Sequence, residues 1–208
     1  MVDDIRNIYC VGRNYGSFAK EMGNKLTEQP IIFMKPTHSL KKVNAAKIKL
    51  DGTRGIVNGE AEIVLHIGRS FEKGIAFQDL VDKFTIGIDF TYREVLNSVK
   101  EKGQPWLPAK GFPGSSGVGE FKIFTNELLA QDFKLIQNGH ILQVGNAQQM
   151  IFSLDNIIDF IGGNYGLRKG DLIYTGTPEG IATLQNGDTL EVQWGENSLG
   201  TCQITLKV

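Results

Sequence analysis

The pattern of the chain predicts an α+β fold that is predominantly β, a mixed, curled β-sheet structure with a few short helices. Three observations carry this. Short apolar runs of strand length outnumber segments with helical spacing, and the two do not alternate as βαβ units would require. Glycine is frequent, at 25 of 208 residues, without a G-X-Y period, so it serves turns and close backbone approaches. Asn138-Gly139 stands between two alternating apolar runs in FKLIQNGHILQV, the favoured two-residue hairpin turn. One domain spanning residues 1–208 is the expectation at this length.

Taken in order, Asn7 to Val11 (NIYCV) predicts a short buried strand ended by Gly12. One or two helical turns over Ser17 to Met22 follow, closed by Gly23 and Asn24. Arg13, Asn14, Tyr15, Phe18 and Glu21 surround this passage. They form either a solvated loop with Tyr15 as a packing residue or, through Arg13, Tyr15 and Phe18, part of a substrate-binding wall. Ile31 to Lys35 is a second strand, stopped by Pro36, and AKIKL a weaker one that reaches the Asp51-Gly52 turn signal. The stretch from Gly59 to Gly68 (GEAEIVLHIG) is a strand, Ile75 to Lys83 a short helix, and Phe84 to Tyr92 (FTIGIDFTY) the next strand. REVLNSVKEKGQPW predicts a helix with Val95, Leu96 and Val99 inward, Lys100 and Lys102 at its end, and Gly103 as its stop. PAKGFPGSSGVGEF, which holds Lys110, reads as an irregular loop. After the hairpin, Gln148 to Ile161 predicts an amphipathic helix stopped by Gly162-Gly163. Asp171 to Thr175, Thr189 to Trp194 and Ser198 to Val208 are the last strands.

The bulk properties exclude several classes. A net charge of -1 and a pI near 6.3 leave no basic footprint for nucleic acid. MVDDIRN has no apolar core of a leader, and no apolar run approaches a membrane span, so no membrane partner is expected. Cys10 and Cys202 sit far apart in apolar, strand-like settings, which predicts two buried free thiols and a cytoplasmic protein.

Chemistry concentrates in GEAEIVLHIG. Side chains alternate along a strand, so Glu60 and Glu62 share a face. A pair at this spacing is common on solvated strands, but Asp89 interrupts the apolar run FTIGIDFTY, where an ionised carboxylate is costly without a partner. Three oxygen ligands suit a hard divalent cation, Mg2+ or Mn2+, with positions left for a chelating substrate. Lys110 is a candidate carboxylate anchor or simply a loop lysine, and Glu21 a candidate general base if buried. In TGTPEGIA, Thr177 and adjacent backbone amides could grip a carboxylate, and an ordinary tight turn is equally consistent. This segment lacks the spacing of a P-loop or dinucleotide fingerprint. His38, His66 and His140 form no ligand pattern and are taken as structural.

The ordered set CVGRNY, IIFMKP, GEAEIVLHIGR, GIDFTYREV, KGQPWLPAKGF, MIFSLDNII and LIYTGTPEGI resembles the fumarylacetoacetate hydrolase family, in particular its short acylpyruvase and oxaloacetate decarboxylase group. The resemblance covers nearly the whole chain. It implies a β-roll, a homodimer, a Mg2+ or Mn2+ site from Glu60, Glu62 and Asp89, and a small 2-oxo acid substrate. It also implies that Lys110 and Thr177 hold the substrate carboxylate, with Arg93 close by. Three positions depart from the family pattern. NYGSFAKE has Phe18 where relatives carry a histidine that works with the glutamate, here Glu21, to activate water. Gly59 replaces a histidine before the first metal glutamate, and Leu96 stands where relatives often carry glutamine. A phenyl ring transfers no proton, so hydrolysis of a carbon-carbon bond loses more than decarboxylation or tautomerisation, which chiefly need a stabilised enolate. The alternative is a relative that keeps the metal and the ligand but has lost turnover.

Overall fold

A computed structural model of the chain describes residues 4–16 and 27–207. The first strands are β1 (Ile8–Gly12), β2 (Ile31–Lys35), β3 (Leu40–Lys42), β4 (Ala46–Asp51), β5 (Val57–Ile67), β6 (Val81–Tyr92) and β7 (Ser116–Val118). They are followed by β8 (Lys122–Ile123), β9 (Phe133–Gln137), β10 (His140–Gly145), β11 (Leu172–Tyr174), β12 (Ala182–Thr183), β13 (Thr189–Trp194) and β14 (Asn197–Lys207). One curled sheet runs β2-β1-β11-β5-β6-β7-β3, with β12 on β5 and β8 on β6, and a second runs β10-β9-β13-β14-β4. Pairing is mixed: β1 with β11, β3 with β7 and β14 with β4 are parallel, the rest antiparallel. Among the described residues the helices are α1 (Arg93–Glu101), α2 (Leu107–Lys110) and α3 (Leu154–Asn164), with further single turns that include Phe77–Leu80. No helix among the described residues is long and apolar enough to cross a membrane. Cys10 and Cys202 are buried free thiols, as their settings predict.

The long antiparallel pair β5–β6 organises the molecule. Every residue of β5 is buried, the polar Asn58, Glu60, Glu62 and His66 included. Ala61, Ile63 and Leu65, with Ile86, Ile88 and Phe90 of β6, turn one face into the core that Leu135, Leu190, Val192 and Ile204 close from the second sheet. On the opposite face Val64 packs with Ile8, Cys10, Val118, Leu172 and Tyr174 in a smaller cluster. Glu60, Glu62 and Asp89 share that second face.

Gly87 shows how tight this face is. It pairs with Glu62, and a methyl group there would lie 2.6 Å from Val64 Cγ2, 2.7 Å from the Gly117 carbonyl oxygen and 2.9 Å from the Tyr174 ring. Gly87→Ala is expected to cost about 1–3 kcal/mol, read as a lower urea midpoint at unchanged slope.

Three local expectations are corrected. Only Phe77–Leu80 of the segment from Ile75 to Lys83 is helical, because Val81 and Lys83 pair with Ile67 and His66 and extend β6. The helix expected from Gln148 begins instead at Leu154, capped by Ser153, while Ala147–Gln149 forms a separate short turn closed by an Asn146–Gln149 capping box. Between them the chain is held by tertiary bonds: Ile151 N–H donates to the Asn14 carbonyl and Phe152 N–H to Asn14 Oδ1. The helix then runs through Gly162 and Gly163, since Gly162 seats it against the Phe71 ring. The loop around Lys110 contains the α2 turn and β7, which bridges β6 and β3. The hairpin is as expected, with Asn138 at φ 52° and Gly139 at φ 82°.

Candidate active site

The register of β5 and β6 places Glu60 directly opposite Asp89, with Glu62 two residues along the same face. One carboxylate oxygen from each of the three lies within 4.8 Å of the others. All three residues are at least 96% buried, with exposures of 4%, 3% and 1%. Acids so buried need compensation.

Part of it comes from three cations. Lys110, at the end of α2, donates hydrogen bonds of 2.6 Å to each of Glu60 Oε2, Asp89 Oδ2 and Thr91 Oγ1. Its backbone is fixed by its own N–H bond to Trp106 and by the Ser115 hydroxyl, which donates to the Lys110 carbonyl. Arg93, at the start of α1, donates to Glu60 Oε1 at 2.6 Å and to Asn58 Oδ1 at 2.9 Å. Lys35 Nζ lies 2.6 Å from Asp89 Oδ1, while its hydrogen bonds go to the carbonyls of Phe90 and Ser115. Burial disfavours the Lys110 charge, but Asp89 and Glu60 outweigh it and hold its pKa above the ordinary lysine range. Burial likewise opposes ionisation of Glu60, yet Lys110 and Arg93 bring its pKa below the usual value. Glu62 is different: burial, then the neighbouring Asp89, push its pKa well up. Among the described residues it makes no ion pair and accepts one backbone bond, from Gly176 N–H at 2.7 Å.

These residues fit a hard divalent cation. The donors are all carboxylate oxygens, and Glu62 has no contacting counter-charge. Mg2+ and Mn2+ both suit such a set.

The pocket over the carboxylates brings together most of the residues singled out in the sequence: Arg13, Arg93, Lys110 and Thr177 line it with the acids. Thr177 is buried, and its hydroxyl accepts from Gln143 Nε2 at 2.9 Å. Tyr15 does not line it; it packs in the main core, edge-on to Phe133, and its hydroxyl has no partner among the described residues. Phe18 and Glu21 lie outside the described residues. Gly59 faces Ile88, Ala182 and Leu184 on the far side of β5, so a side chain there would point away from the acids. Leu96 forms an apolar wall of the pocket.

Sequence inspection did not single out Lys35, Gln143, Lys100, Phe33 or Trp106. Lys35 had one available signal, a lysine closing the apolar strand IIFMK. Gln143 lies on the hairpin and reaches the Ala61 N–H and Thr177 from the other sheet, which no local pattern reveals. Lys100 reads simply as a cation at a helix end.

The family described as Fumarylacetoacetate (FAA) hydrolase C-terminal matches residues 7–207. Oxaloacetate tautomerase YcgM of Escherichia coli is 32% identical over 204 residues, covering 95% of this chain and 92% of that protein. The mitochondrial oxaloacetate tautomerase FAHD1 of Rattus norvegicus is 34% identical over 192 residues, covering 89% and 86%. The crystal structure of fumarylpyruvate hydrolase from Pseudomonas aeruginosa in complex with Mn2+ and pyruvate superposes with a TM-score of 0.87 at 27% identity, covering 98% of this chain and 91% of that one.

Proposed function

Because this chain belongs to the fumarylacetoacetate hydrolase family and is an enzyme, we propose that it performs Mg2+- or Mn2+-dependent enolate chemistry on a small 2-oxo acid. Tautomerisation or decarboxylation of oxaloacetate is the favoured reaction. Glu60, Glu62 and Asp89 would hold the ion, which supplies Lewis acidity to the 2-oxo oxygen and its neighbouring carboxylate. Lys110 and Arg93 keep the acids ionised and oriented, and Lys110, on exchanging its bond to Thr91, would bind the substrate carboxylate together with Thr177. Glu21 is assigned the proton transfer at the carbon next to the 2-oxo group. The proposal keeps the homodimer that the family resemblance implies.

The observation that carries the preference is the placement of the histidines. All three lie outside the pocket: His38 and His140 are exposed, and His66, six residues beyond Glu60 on β5, is paired with Asp82. No imidazole of this chain is therefore available beside the acids to activate water. Names of relatives agree with enolate chemistry, although the Pseudomonas aeruginosa protein is a hydrolase.

Assays with Mg2+ separate the possibilities. Oxaloacetate enol-keto interconversion or decarboxylation is expected at a kcat/KM at least roughly a hundredfold above acylpyruvate cleavage, the usual size of a lost acid-base group. Efficient acylpyruvate cleavage would overturn the preference. Turnover of neither, with metal-dependent oxalate binding, would identify a binding protein.

A further inference from the structure

The pocket holds more positive charge than its acids consume. Arg13, Arg93, Lys100 and Lys110 line it against Glu60, Glu62 and Asp89. Arg93 and Lys110 are committed to those acids. Arg13 and Lys100 are not: among the described residues neither makes an ion pair. Arg13 is held at φ 60°, uncommon for a residue with a Cβ, and its buried Nε has no hydrogen-bond partner. Lys100, in the last turn of α1, places Nζ 5.0 Å from the centroid of the Trp106 ring. Burial, then the like charges of Arg13, Arg93 and Lys110, lower its pKa to about 8. Leu96, Phe33 and Trp106 make the neighbouring wall apolar. An anion entering there finds Arg13 and Lys100 as its uncommitted partners, and neutralising them relieves the mutual repulsion.

We propose that Lys100, assisted by Arg13, receives the distal carboxylate of the substrate, so that the protein selects 2-oxo dicarboxylates over 2-oxo acids with an uncharged tail. This rests on the metal-dependent 2-oxo acid function proposed above.

The test is calorimetric binding in Mn2+ of three probes: oxalate, which presents only the chelating head, and 2-oxoglutarate and 2-oxopentanoate, equal in length and differing in the distal carboxylate. Wild type is expected to prefer 2-oxoglutarate by roughly tenfold or more, the worth of one charge-assisted hydrogen bond. Lys100→Met should reduce that ratio to near unity with oxalate affinity kept within about twofold, and Lys100→Arg should restore much of it. A wild type that binds oxalate without preferring 2-oxoglutarate overturns this inference alone. So does a Lys100→Met protein with an unchanged ratio, or with oxalate weakened as much as 2-oxoglutarate. A wild type that binds none of the probes overturns the proposed function and this inference with it. Thermal melting of both variants identifies any loss of fold, and Lys100→Arg, which keeps the charge, carries the test if Lys100→Met fails to fold: a ratio at the wild-type level supports the inference, and a ratio lost despite the retained charge overturns it.

Discussion

Mn2+ affinity is expected to fall by roughly a hundredfold or more in Glu62→Gln, while the metal-free protein stays at least as stable as wild type. The first effect follows from removing one of three anionic oxygen donors to a hard cation. The second follows from the absence of any contacting cation at Glu62: its one described partner is the Gly176 N–H, which an amide oxygen accepts equally well. A neutral side chain then removes a buried charge without orphaning another. Titration of Mn2+ with and without the substitution, beside chemical denaturation in chelator, checks both halves. Unchanged Mn2+ affinity would rule out the proposed centre. Asp89→Ala should also abolish binding, but it leaves buried Lys35 without a carboxylate partner among the described residues and Lys110 with Glu60 alone, so its stability will fall as well.

Lys35→Met is expected to destabilise the metal-free protein by about 3–5 kcal/mol, the usual cost of breaking a buried ion pair from one side. The Lys35 side chain is 0% exposed, touches Asp89 Oδ1, and satisfies the carbonyls of Phe90 and Ser115. Its loss leaves Asp89 with Lys110 as its remaining cation and two carbonyls short of a donor. Saturating Mn2+ should recover part of the loss, because the ion binds only the assembled site. Urea denaturation with chelator and with Mn2+ measures both; equal stability of variant and wild type would show that Lys35 does not support Asp89.

Much of the fold was legible because strand signals are local. IIFMK, TLEVQW and the Asn138-Gly139 hairpin are where pattern and turn chemistry place them. The failures have tertiary causes. The helix over Gln148 to Ser153 was lost to Asn14, more than a hundred residues away, whose backbone and side chain take up the amides of Ile151 and Phe152. The expected loop at Lys110 became ordered because β7 found open edges on β6 and β3. Gly59 read as a chemical departure in the sequence, yet its position on the core face of β5 makes it a packing residue.

By itself the sequence determined that Glu60 and Glu62 share a face, since the strand period of two admits no other arrangement, and that Asp89 was an acid too costly to bury alone. Only the tertiary structure decided what they face. The register of β5 on β6 set Asp89 opposite Glu60, and segments distant along the chain delivered Lys110, Thr177 and Lys100 to the same pocket and Lys35 to Asp89. The physical reason is that alternation is a property of a single strand, whereas register and proximity are set by the packing of two faces at once.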